Sequence, residues 1–430
     1  MSKTEHSLDN STGERGESAA STSTSQTSKS GKRKPFPLSL LCLTIGAFAI
    51  GMTEFIIMGL LPNVATDLNV SIPRAGQLIT GYALGVAVGA PILTVFTHKI
   101  PQKKLLVLLM CIFIIGNALS VIAPTYGLLI SARILTAFAH GTFLGVGSIM
   151  ATKLVTPDRR AGAVSVVLAG LTIANIIGVP FGTFIGQQLG WRSSFGAITI
   201  LGIVSLLGII RFIPVIPQGT PANLGQQFRN LIRPQVLLVL LIGAMGCGSL
   251  FAVFTYITPM LVDISGFAEK SVTWILVLFG FGVTLGNMVG GRLADWKLMP
   301  SLIVNFGILA VLLAALTLTL HNPVLAVITI FFWGVAAFGI MPGLQLRIMN
   351  MTREAPLLAT TSSHSAFNLG NAAGAYLGGF AITHTGLISV PIYAAVIAAL
   401  GLLGLLLSLF KQDKESSPEG ADGIHPVSVH

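Results

Sequence analysis

Charged side chains are scarce in this chain of 430 residues, of which 9% are Asp, Glu, Lys or Arg and 53% are hydrophobic. An average soluble domain carries about 25% charged residues. Despite a net charge of +10, the chain lacks the soluble basic surface that nucleic-acid binding needs. The composition instead predicts an all-α polytopic membrane protein.

Motifs for several kinds of chemistry are also missing. No G-x-x-x-x-G-K-[ST] segment is present, so the sequence predicts no ATP-driven motor. His140 and His364 lack a third ligand for a catalytic metal, and Ser131 lies too far along its helix from His140 for a nucleophile and base. The sequence shows no ring of charges of the kind that lines an ion channel, so a channel is not predicted. We therefore expect neither an enzyme nor a bound cofactor or metal.

Apolar runs long enough to cross a bilayer, roughly 20 residues each, recur twelve times. The predicted spans are 38–61, 76–97, 104–124, 126–150, 160–186, 193–213, 235–261, 271–294, 301–320, 322–348, 357–383 and 387–410. They predict a six-helix half at 35–213, a cytoplasmic linker at 214–234 and a second six-helix half at 235–410. Residues 1–34 and 411–430 are predicted to be cytoplasmic tails, and the first is expected to be disordered.

Positive charge gathers on one side of these spans. The loops on the other side carry only Arg74, Arg192 and Lys270. The positive-inside rule therefore predicts that both termini face the cytoplasm. Basic residues on the cytoplasmic side include Lys32, Arg33, Lys34, Lys99, Lys103, Lys104, Lys153, Arg159, Arg160, Arg211, Arg229, Arg233, Arg292, Lys297, Arg347, Arg353, Lys411 and Lys414.

Of the 15 acidic residues, Glu54 alone falls well inside a predicted span. It precedes Pro62 by eight residues, hence lies roughly 12 Å below the outer end of its helix. Arg133 in the fourth span lies roughly 10 Å from its own outer end. The two charges are therefore predicted to lie at similar depth.

Three interpretations of Glu54 remain open. It forms a structural ion pair with Arg133, it binds and releases a coupling proton, or it contacts a cationic substrate. A cavity that changes its wetness and charged partners would load and unload a proton. His140 either relays that proton or is a packing histidine.

Asparagines within spans have two open interpretations as well. One interpretation is that they hydrogen-bond neighbouring helices, as for Asn175, Asn287, Asn368 and Asn371. The other is that Asn175 and Asn368 contact a substrate. Asp67 is expected to stay solvated in a loop, and Trp191 to be an interfacial anchor. Aromatic and methionine residues in the seventh and tenth spans favour a neutral or amphipathic substrate: Phe251, Phe254, Tyr256, Met260, Phe338 and Met341.

Glycines at four-residue spacing reveal an internal repeat. The second and eighth spans carry Gly81, Gly85 and Gly89, and Gly282, Gly286 and Gly290, while the fifth and eleventh carry Gly178, Gly182 and Gly186, and Gly370, Gly374 and Gly378. Such stripes let another helix backbone approach closely. Matched stripes in corresponding spans predict two related halves that rock about a substrate site near the midplane.

Two motifs resemble those of a known family, the major facilitator superfamily, over roughly residues 36–411. The segment Gly286-Asn-Met-Val-Gly290-Gly-Arg292-Leu-Ala-Asp295 resembles its loop motif G-x-x-x-G-G-x-x-x-D. Asp295 is expected to cap a helix and Arg292 to pair across a cytoplasmic gate. In the first half, Thr94 stands where Asp295 stands in the second.

The fifth span, with Gly178, Pro180 and Gly182, is similar to the antiporter motif G-x-x-x-G-P-x-x-G. Together with Thr53-Glu54-Phe55 and Phe367-Asn-Leu-Gly-Asn371, it resembles the twelve-helix drug:proton antiporter branch and its bacterial arabinose, sugar and purine-nucleoside efflux permeases.

The resemblance implies a major-facilitator-type fold in the inner membrane, monomeric, with a cavity lined by spans 1, 4, 7 and 10. It implies a proton-coupled exporter of a small molecule such as a drug, sugar or nucleoside, surrounded by lipid. A proton-coupled uptake symporter of the same fold is the alternative.

Overall fold

The computed structural model describes residues 38–97, 100–216, 233–351 and 356–416, and this part is helical without a β-strand. The predicted N-terminal tail lies outside the described residues, as do most of the predicted linker and of the C-terminal tail. The last helix nevertheless continues to Ser416, past the predicted end of its span at residue 410.

The first six crossings begin and end within a few residues of the predicted spans. They are α1 (Leu38–Gly59), α2 (Ile72–Thr97), α3 (Gln102–Ile122), α4 (Tyr126–Lys153), α5 (Arg160–Ile173 and Val179–Leu189, joined by a π-helical turn at Ala174–Gly178) and α6 (Trp191–Phe212). A short helix, Leu61–Asp67, follows α1.

The second half repeats this order. It contains α7 (Pro234–Phe254), α8 and α9 (the two arms of Glu269–Thr319), α10 (Pro323–Gly339 and Met341–Met351), α11 (Pro356–Thr385) and α12 (Val390–Ser416). We call the end of the bundle that carries Leu38 and Ser416 the tail end, and the opposite end the distal end.

Ten helices of the described residues are long and apolar enough to span a membrane. The number of crossings is twelve for two reasons. The 51-residue helix Glu269–Thr319 bends at Lys297 (φ −146°, ψ 90°) and crosses twice. Helix α11 is not among the ten but spans 30 residues. The loop predicted between the eighth and ninth spans is thus only a bend.

Short breaks with a side-chain cap precede α4 and α10. The hydroxyl of Thr125 accepts a hydrogen bond from the Leu128 amide at the start of α4. The side-chain oxygen of Asn322 accepts from Val324 N (3.0 Å) and Leu325 N (3.2 Å) at the start of α10. These caps supply partners for amides that lack them within the helix, so both predicted breaks are confirmed.

The glycine stripes of α8 and α11 bring backbones together, as predicted. A side chain at Gly286 would collide with the carbonyl oxygen of Val335 in α10, and one at Gly374 with that of Gly248 in α7. The stripes of α2 and α5 instead receive side chains, for example Phe138 of α4 against Gly89. The same helices therefore pair in both halves. Helix α2 packs on α4 as α8 packs on α10, and α5 packs on α1 as α11 packs on α7.

Asp67 and Trp191 join three elements at the distal end. The Asp67 carboxylate accepts hydrogen bonds from Arg192 Nη1 (2.5 Å) and Trp191 Nε1 (3.0 Å), and Arg192 Nη2 donates to the carbonyl of Ala123 (2.8 Å). The bond from Arg192, followed by that from Trp191, lowers the pKa of Asp67 below its ordinary value. The Asp67 side chain remains exposed, as expected, and is hydrogen-bonded as well. Trp191, which was expected to be an interfacial anchor, is buried, with only 3% of its surface exposed.

The two halves are hydrogen-bonded to each other at the distal end. Thr258, just after α7, donates to the carbonyl of Met58 in α1 (2.8 Å). Gln187 at the end of α5 donates to the carbonyl of Glu269 (3.0 Å) and accepts from the Thr273 hydroxyl (3.3 Å) at the start of α8. These hydrogen bonds join the two halves at the distal end.

Candidate functional site

Glu54 lies on the buried side of α1, where 9% of its surface is exposed. Its Oε2 atom lies 3.9 Å from Nε2 of His140 in α4. Within 4 Å, the described residues offer the carboxylate this imidazole and no other basic group. The carboxyl group and the imidazole form the centre of the candidate site.

Arg133 binds the backbone of α1 beside Glu54. Its Nη1 atom donates to the carbonyl oxygen of Thr53 (2.5 Å) and lies 3.2 Å from the Thr53 hydroxyl. Its Nε and Nη2 atoms have no hydrogen-bond partner, and the guanidinium makes no ion pair within 4 Å in the described part of the chain. Glu54 and Arg133 were predicted to lie at similar depth, and Arg133 contacts the backbone of α1 at Thr53, the residue before Glu54.

Tyr82 of α2 connects the arginine to the histidine. Its hydroxyl is 3.1 Å from Nδ1 of His140, and its ring lies under the Arg133 guanidinium, 4.2 Å from Cζ to the ring centroid. At this distance the cation is attracted to the face of the ring. Tyr82 thereby fixes the imidazole from one side while Glu54 approaches it from the other.

Asn117 of α3 completes the arrangement. Its side-chain oxygen accepts a hydrogen bond from the Thr53 hydroxyl (2.7 Å), and its Nδ2 donates to the carbonyl of Phe113 (2.8 Å). We call Glu54, His140, Tyr82, Arg133, Thr53 and Asn117 the polar network. It joins all four of helices α1 to α4.

The polar network has the chemistry needed to exchange a proton. A carboxylate removed from water is stabilised by taking up a proton or by a nearby cation. Imidazole has one nitrogen on each side, and the hydrogen bond at one nitrogen selects which of them carries the proton. With Tyr82 at Nδ1, Nε2 faces Glu54, and one proton can be held by either group.

Asn175 lies in the π-helical turn of α5, and Pro180 follows this turn in the next helical segment. The Val179 amide donates to the carbonyl of Ala174, five residues earlier, and the next residue, Pro180, has no amide hydrogen to donate. The Asn175 side chain donates to the carbonyl of Leu171 (3.1 Å), and its own carbonyl faces Gly280 of α8. The wide turn therefore lies at the contact between the halves. Gly178 and Gly182 pack on Met52 and Ile56 of α1.

Asn368 lies on α11 and is 6% exposed. Its Nδ2 donates to the carbonyl of His364 (3.0 Å), and its Oδ1 has no partner. It does not join the polar network by any hydrogen bond that the described residues show.

The loop-motif residues divide into buried and exposed. Gly286 and Gly290 lie against α10, as described above. Arg292 and Asp295 are exposed near the tail end of α8, and within the described residues neither makes a hydrogen bond or ion pair. In the described part of the chain, the cap expected from Asp295 and the gate pair expected from Arg292 are therefore not formed.

An aromatic layer crosses from one half to the other. Phe55, the neighbour of Glu54, lies 5.8 Å from the ring of Phe251 and 6.0 Å from that of Phe254. Phe254 stacks on Phe279 of α8 (4.6 Å), which lies 4.9 Å from Trp333 of α10. These rings are buried and pack Phe55 of the first half against α7, α8 and α10 of the second half.

The second half contains no copy of the polar network. Gly89 meets Phe138, and Gly290, 201 positions later, meets Gly339, also 201 positions after Phe138. By the same offset Arg133 corresponds to Gly334 and His140 to Met341. For α1 and α7 the packing gives an offset of 192, which places Gly246 opposite Glu54. The repeat is therefore one of packing, and Glu54, Arg133 and His140 have no charged or titratable counterparts at these positions of the second half.

Sequence reasoning did not identify Tyr82, Asn117 and Trp333. Asn117 could have been noticed as a polar residue in an apolar span, since such residues face other helices. Tyr82 carried no comparable signal, because its partners come from a helix distant in sequence. In the described residues no three metal-binding side chains come together.

Several known proteins are similar to this chain. The family model of the Major Facilitator Superfamily matches residues 43–363. "Inner membrane transport protein YdhP" of Escherichia coli (strain K12) is 43% identical over 374 residues, which cover 87% of this chain and 96% of that protein. The "Chloramphenicol resistance protein" of Streptomyces lividans is 32% identical and covers 85% and 95%, respectively.

A solved structure shares the fold. The crystal structure of the D-xylose-proton symporter superposes with a TM-score of 0.70 at 15% identity, over 87% of this chain and 96% of that one. The two named relatives are a transport protein and a resistance protein, and neither carries the name of an enzyme.

Proposed function

The chain belongs to the major facilitator superfamily, and we propose that it is a proton-coupled secondary transporter that exports a small molecule by alternating access. The observation that carries the proposal is the Glu54 carboxyl group, buried in the bundle and 3.9 Å from His140. An acidic side chain at such a site is costly to maintain and usually serves transport. Glu54, His140 and Arg133 are the proposed proton-coupling residues.

The proposed cycle uses the state of Glu54 to decide what is bound. Substrate enters from the cytoplasm while Glu54 is ionised, and a proton that arrives from outside displaces it after the halves rock. Arg133 holds α1 at Thr53, so a change of charge at Glu54 acts directly on the junction of α1 and α4. We assign substrate contacts to Glu54, Asn175 and Asn368.

The tail end is proposed to face the cytoplasm of a cell bounded by an inner membrane, because most lysines and arginines of the loops lie at that end. A relative named as an inner membrane protein supports this location. The distal end, closed by the contacts of Thr258 and Gln187, then faces outward. The transporter is proposed to act as a monomer within the lipid.

The experiment that tests coupling is proton release by the detergent-purified protein on addition of antibiotics, pentoses and nucleosides. Parent protein is expected to release protons with one class of compound, and Glu54→Gln is expected to release none, because glutamine holds no exchangeable carboxyl proton. Asp67→Asn is the matched control, since Asp67 lies outside the network and should leave the release unchanged. Release that persists in Glu54→Gln would contradict the role of Glu54.

The direction of transport has a separate test. Inverted membrane vesicles with an imposed proton gradient are expected to accumulate the identified compound. A relative named for chloramphenicol resistance supports export. Net uphill loading of intact cells would instead identify an uptake symporter.

A further inference from the structure

Two buried amide oxygens on α11, Oδ1 of Asn368 and Oδ1 of Asn371, have no hydrogen-bond partner among the described residues. Both residues are 6% exposed. Folded proteins pair nearly all buried polar groups, and each exception requires an explanation. Two such exceptions one helical turn apart are the starting point for a binding site.

Asn368 and Asn371 lie near the line where α11 meets both halves of the molecule. At 100° per residue, Asn368 lies about 20° around the helix from Gly379, which lies against Pro73 of α2. Asn371 lies about 20° from Gly378, which like Gly370 and Gly374 lies against the backbone of α7. Helix α11 packs on α2 and also contacts α4, the helix of His140.

The orientation of the Asn368 amide is fixed by its neighbour. Nδ2 donates to the carbonyl of His364 (3.0 Å), so the oxygen is the atom left to accept a bond. Asn117 makes the same kind of backbone contact with Phe113, but its oxygen is occupied by the Thr53 hydroxyl. Asn117 therefore joins two helices through its side-chain oxygen, whereas the side-chain oxygen of Asn368 is left without a donor.

We propose that Asn368 and Asn371 form a binding site for a neutral molecule that presents at least two O–H or N–H donors, such as hydroxyl or amide groups. Amide oxygens accept such donors but do not neutralise a full charge, which favours a neutral ligand over an organic cation. This inference rests on the proposed transport function and specifies its substrate class. The ligand would lie between α11 and the helices that carry the polar network.

The test compares three asparagine-to-leucine variants of the full chain in detergent by thermal unfolding. Leucine removes the amide at similar volume. Asn117→Leu leaves Thr53 without its acceptor and is expected to lower Tm. Asn368→Leu and Asn371→Leu remove unpaired oxygens and are expected to leave the Tm of the ligand-free protein equal or higher.

The binding arm uses two probes. Chloramphenicol is neutral and carries hydroxyl and amide N–H donors, whereas tetraphenylphosphonium is a cation without donors. Chloramphenicol is expected to raise the Tm of the parent, and each α11 variant to weaken its binding by about tenfold, the ratio for one neutral hydrogen bond. Tetraphenylphosphonium is expected to have no effect that depends on Asn368 or Asn371.

Three outcomes would overturn the inference. The first is a fall in the ligand-free Tm of Asn368→Leu as large as that of Asn117→Leu. The second is chloramphenicol binding that is absent, or equal in parent and variants, and the third is a rise in Tm with tetraphenylphosphonium alone. Thermal unfolding requires no transport. The inference can therefore fail while Glu54-dependent proton release persists. Conversely, proton release that does not depend on Glu54 would reject the coupling mechanism and leave this inference standing.

Discussion

Arg133 contributes to the site by holding a backbone rather than by pairing with an acid. Its bond to the Thr53 carbonyl fixes α1 one residue before Glu54, and the Tyr82 ring covers its guanidinium. A buried cation of this kind needs several partial contacts in place of one counter-ion. The charge of Glu54 is therefore not neutralised by an ion pair with Arg133.

Tyr82→Phe is predicted to impair coupling while the fold is kept. The substitution removes the hydroxyl that fixes Nδ1 of His140 but leaves the ring under Arg133. A neutral hydrogen bond is worth about 0.5–1.5 kcal/mol, so we expect proton-driven transport to fall by up to about tenfold, with a shifted pH profile. Transport in proteoliposomes over a pH series measures this.

The control for that experiment is Tyr82→Leu, which removes both the hydroxyl and the aromatic face. It should lower the Tm as well as the transport rate. An unchanged rate and pH profile in Tyr82→Phe would show that the tyrosine serves packing alone.

The sequence allowed Glu54 and Arg133 to be predicted as site residues because depth along a helix follows directly from residue number. It did not show which atoms they contact. Arg133 bonds a carbonyl, a group that every residue carries, so no side-chain pattern could indicate it. The three-way contact of Tyr82, His140 and Arg133 depends on how α2 lies against α4.

Among the helices, the glycine stripes determine how closely neighbours pack. Where a stripe lies against another backbone, as Gly290 lies against Gly339, no side chain can move aside to make room. The four-residue spacing of the glycines and the correspondence between the two halves could be predicted from the sequence. The sequence did not predict that α8 and α11 contact backbone whereas α2 and α5 contact side chains.

Gly290→Ala is predicted to destabilise the protein, because the new methyl group would collide with the Gly339 carbonyl oxygen. Overpacking of this kind costs about 1–3 kcal/mol, which should lower both the Tm and transport activity. Gly291→Ala is the matched control, since nothing lies within 4 Å of a side chain added there. That variant should have the parent Tm or a slightly higher one, because alanine favours the helix by about 0.5–1 kcal/mol. Equal Tm values for the two variants would contradict the packing argument.

The π-helical turn before Pro180 illustrates a limit of sequence reasoning. The missing amide of proline predicts a bend in α5, but a bend has several forms. The chain adopts a wide turn at Ala174–Gly178, a local form often found at functional sites. It exposes the Asn175 carbonyl to Gly280 of α8, and only the position of α8 makes this contact possible.

For the molecule as a whole, the hydrogen bonds of Gln187 and Thr258 between the halves lie at the distal end. A transporter that works by alternating access must break these contacts once in each cycle. The aromatic layer that runs from Phe55 to Trp333 lies on the same path and must also separate. Closure at this end is therefore expected to be reversible.

A cross-link between Gln187→Cys and Thr273→Cys is predicted to stop transport. These side chains share a hydrogen bond across the halves, so a short thiol-reactive linker should hold the distal end shut. The three native cysteines would first be replaced by alanine. Transport in proteoliposomes should fall to background when the linker is added and return when it is cleaved. Single-cysteine variants treated in the same way should keep full activity, and a cross-linked pair that still transports would exclude opening at this contact.

The unequal halves have an electrical consequence. Glu54 and Arg133 are both in the first half, and their counterparts in the second are Gly246 and Gly334. When Glu54 is ionised its charge cancels that of Arg133, and when Glu54 is protonated Arg133 adds one net positive charge to the buried part of the first half. Moving one charge across the membrane is worth about 2.3 kcal/mol per 100 mV. With a neutral cargo, we therefore expect voltage as well as pH to drive the protonated carrier inward.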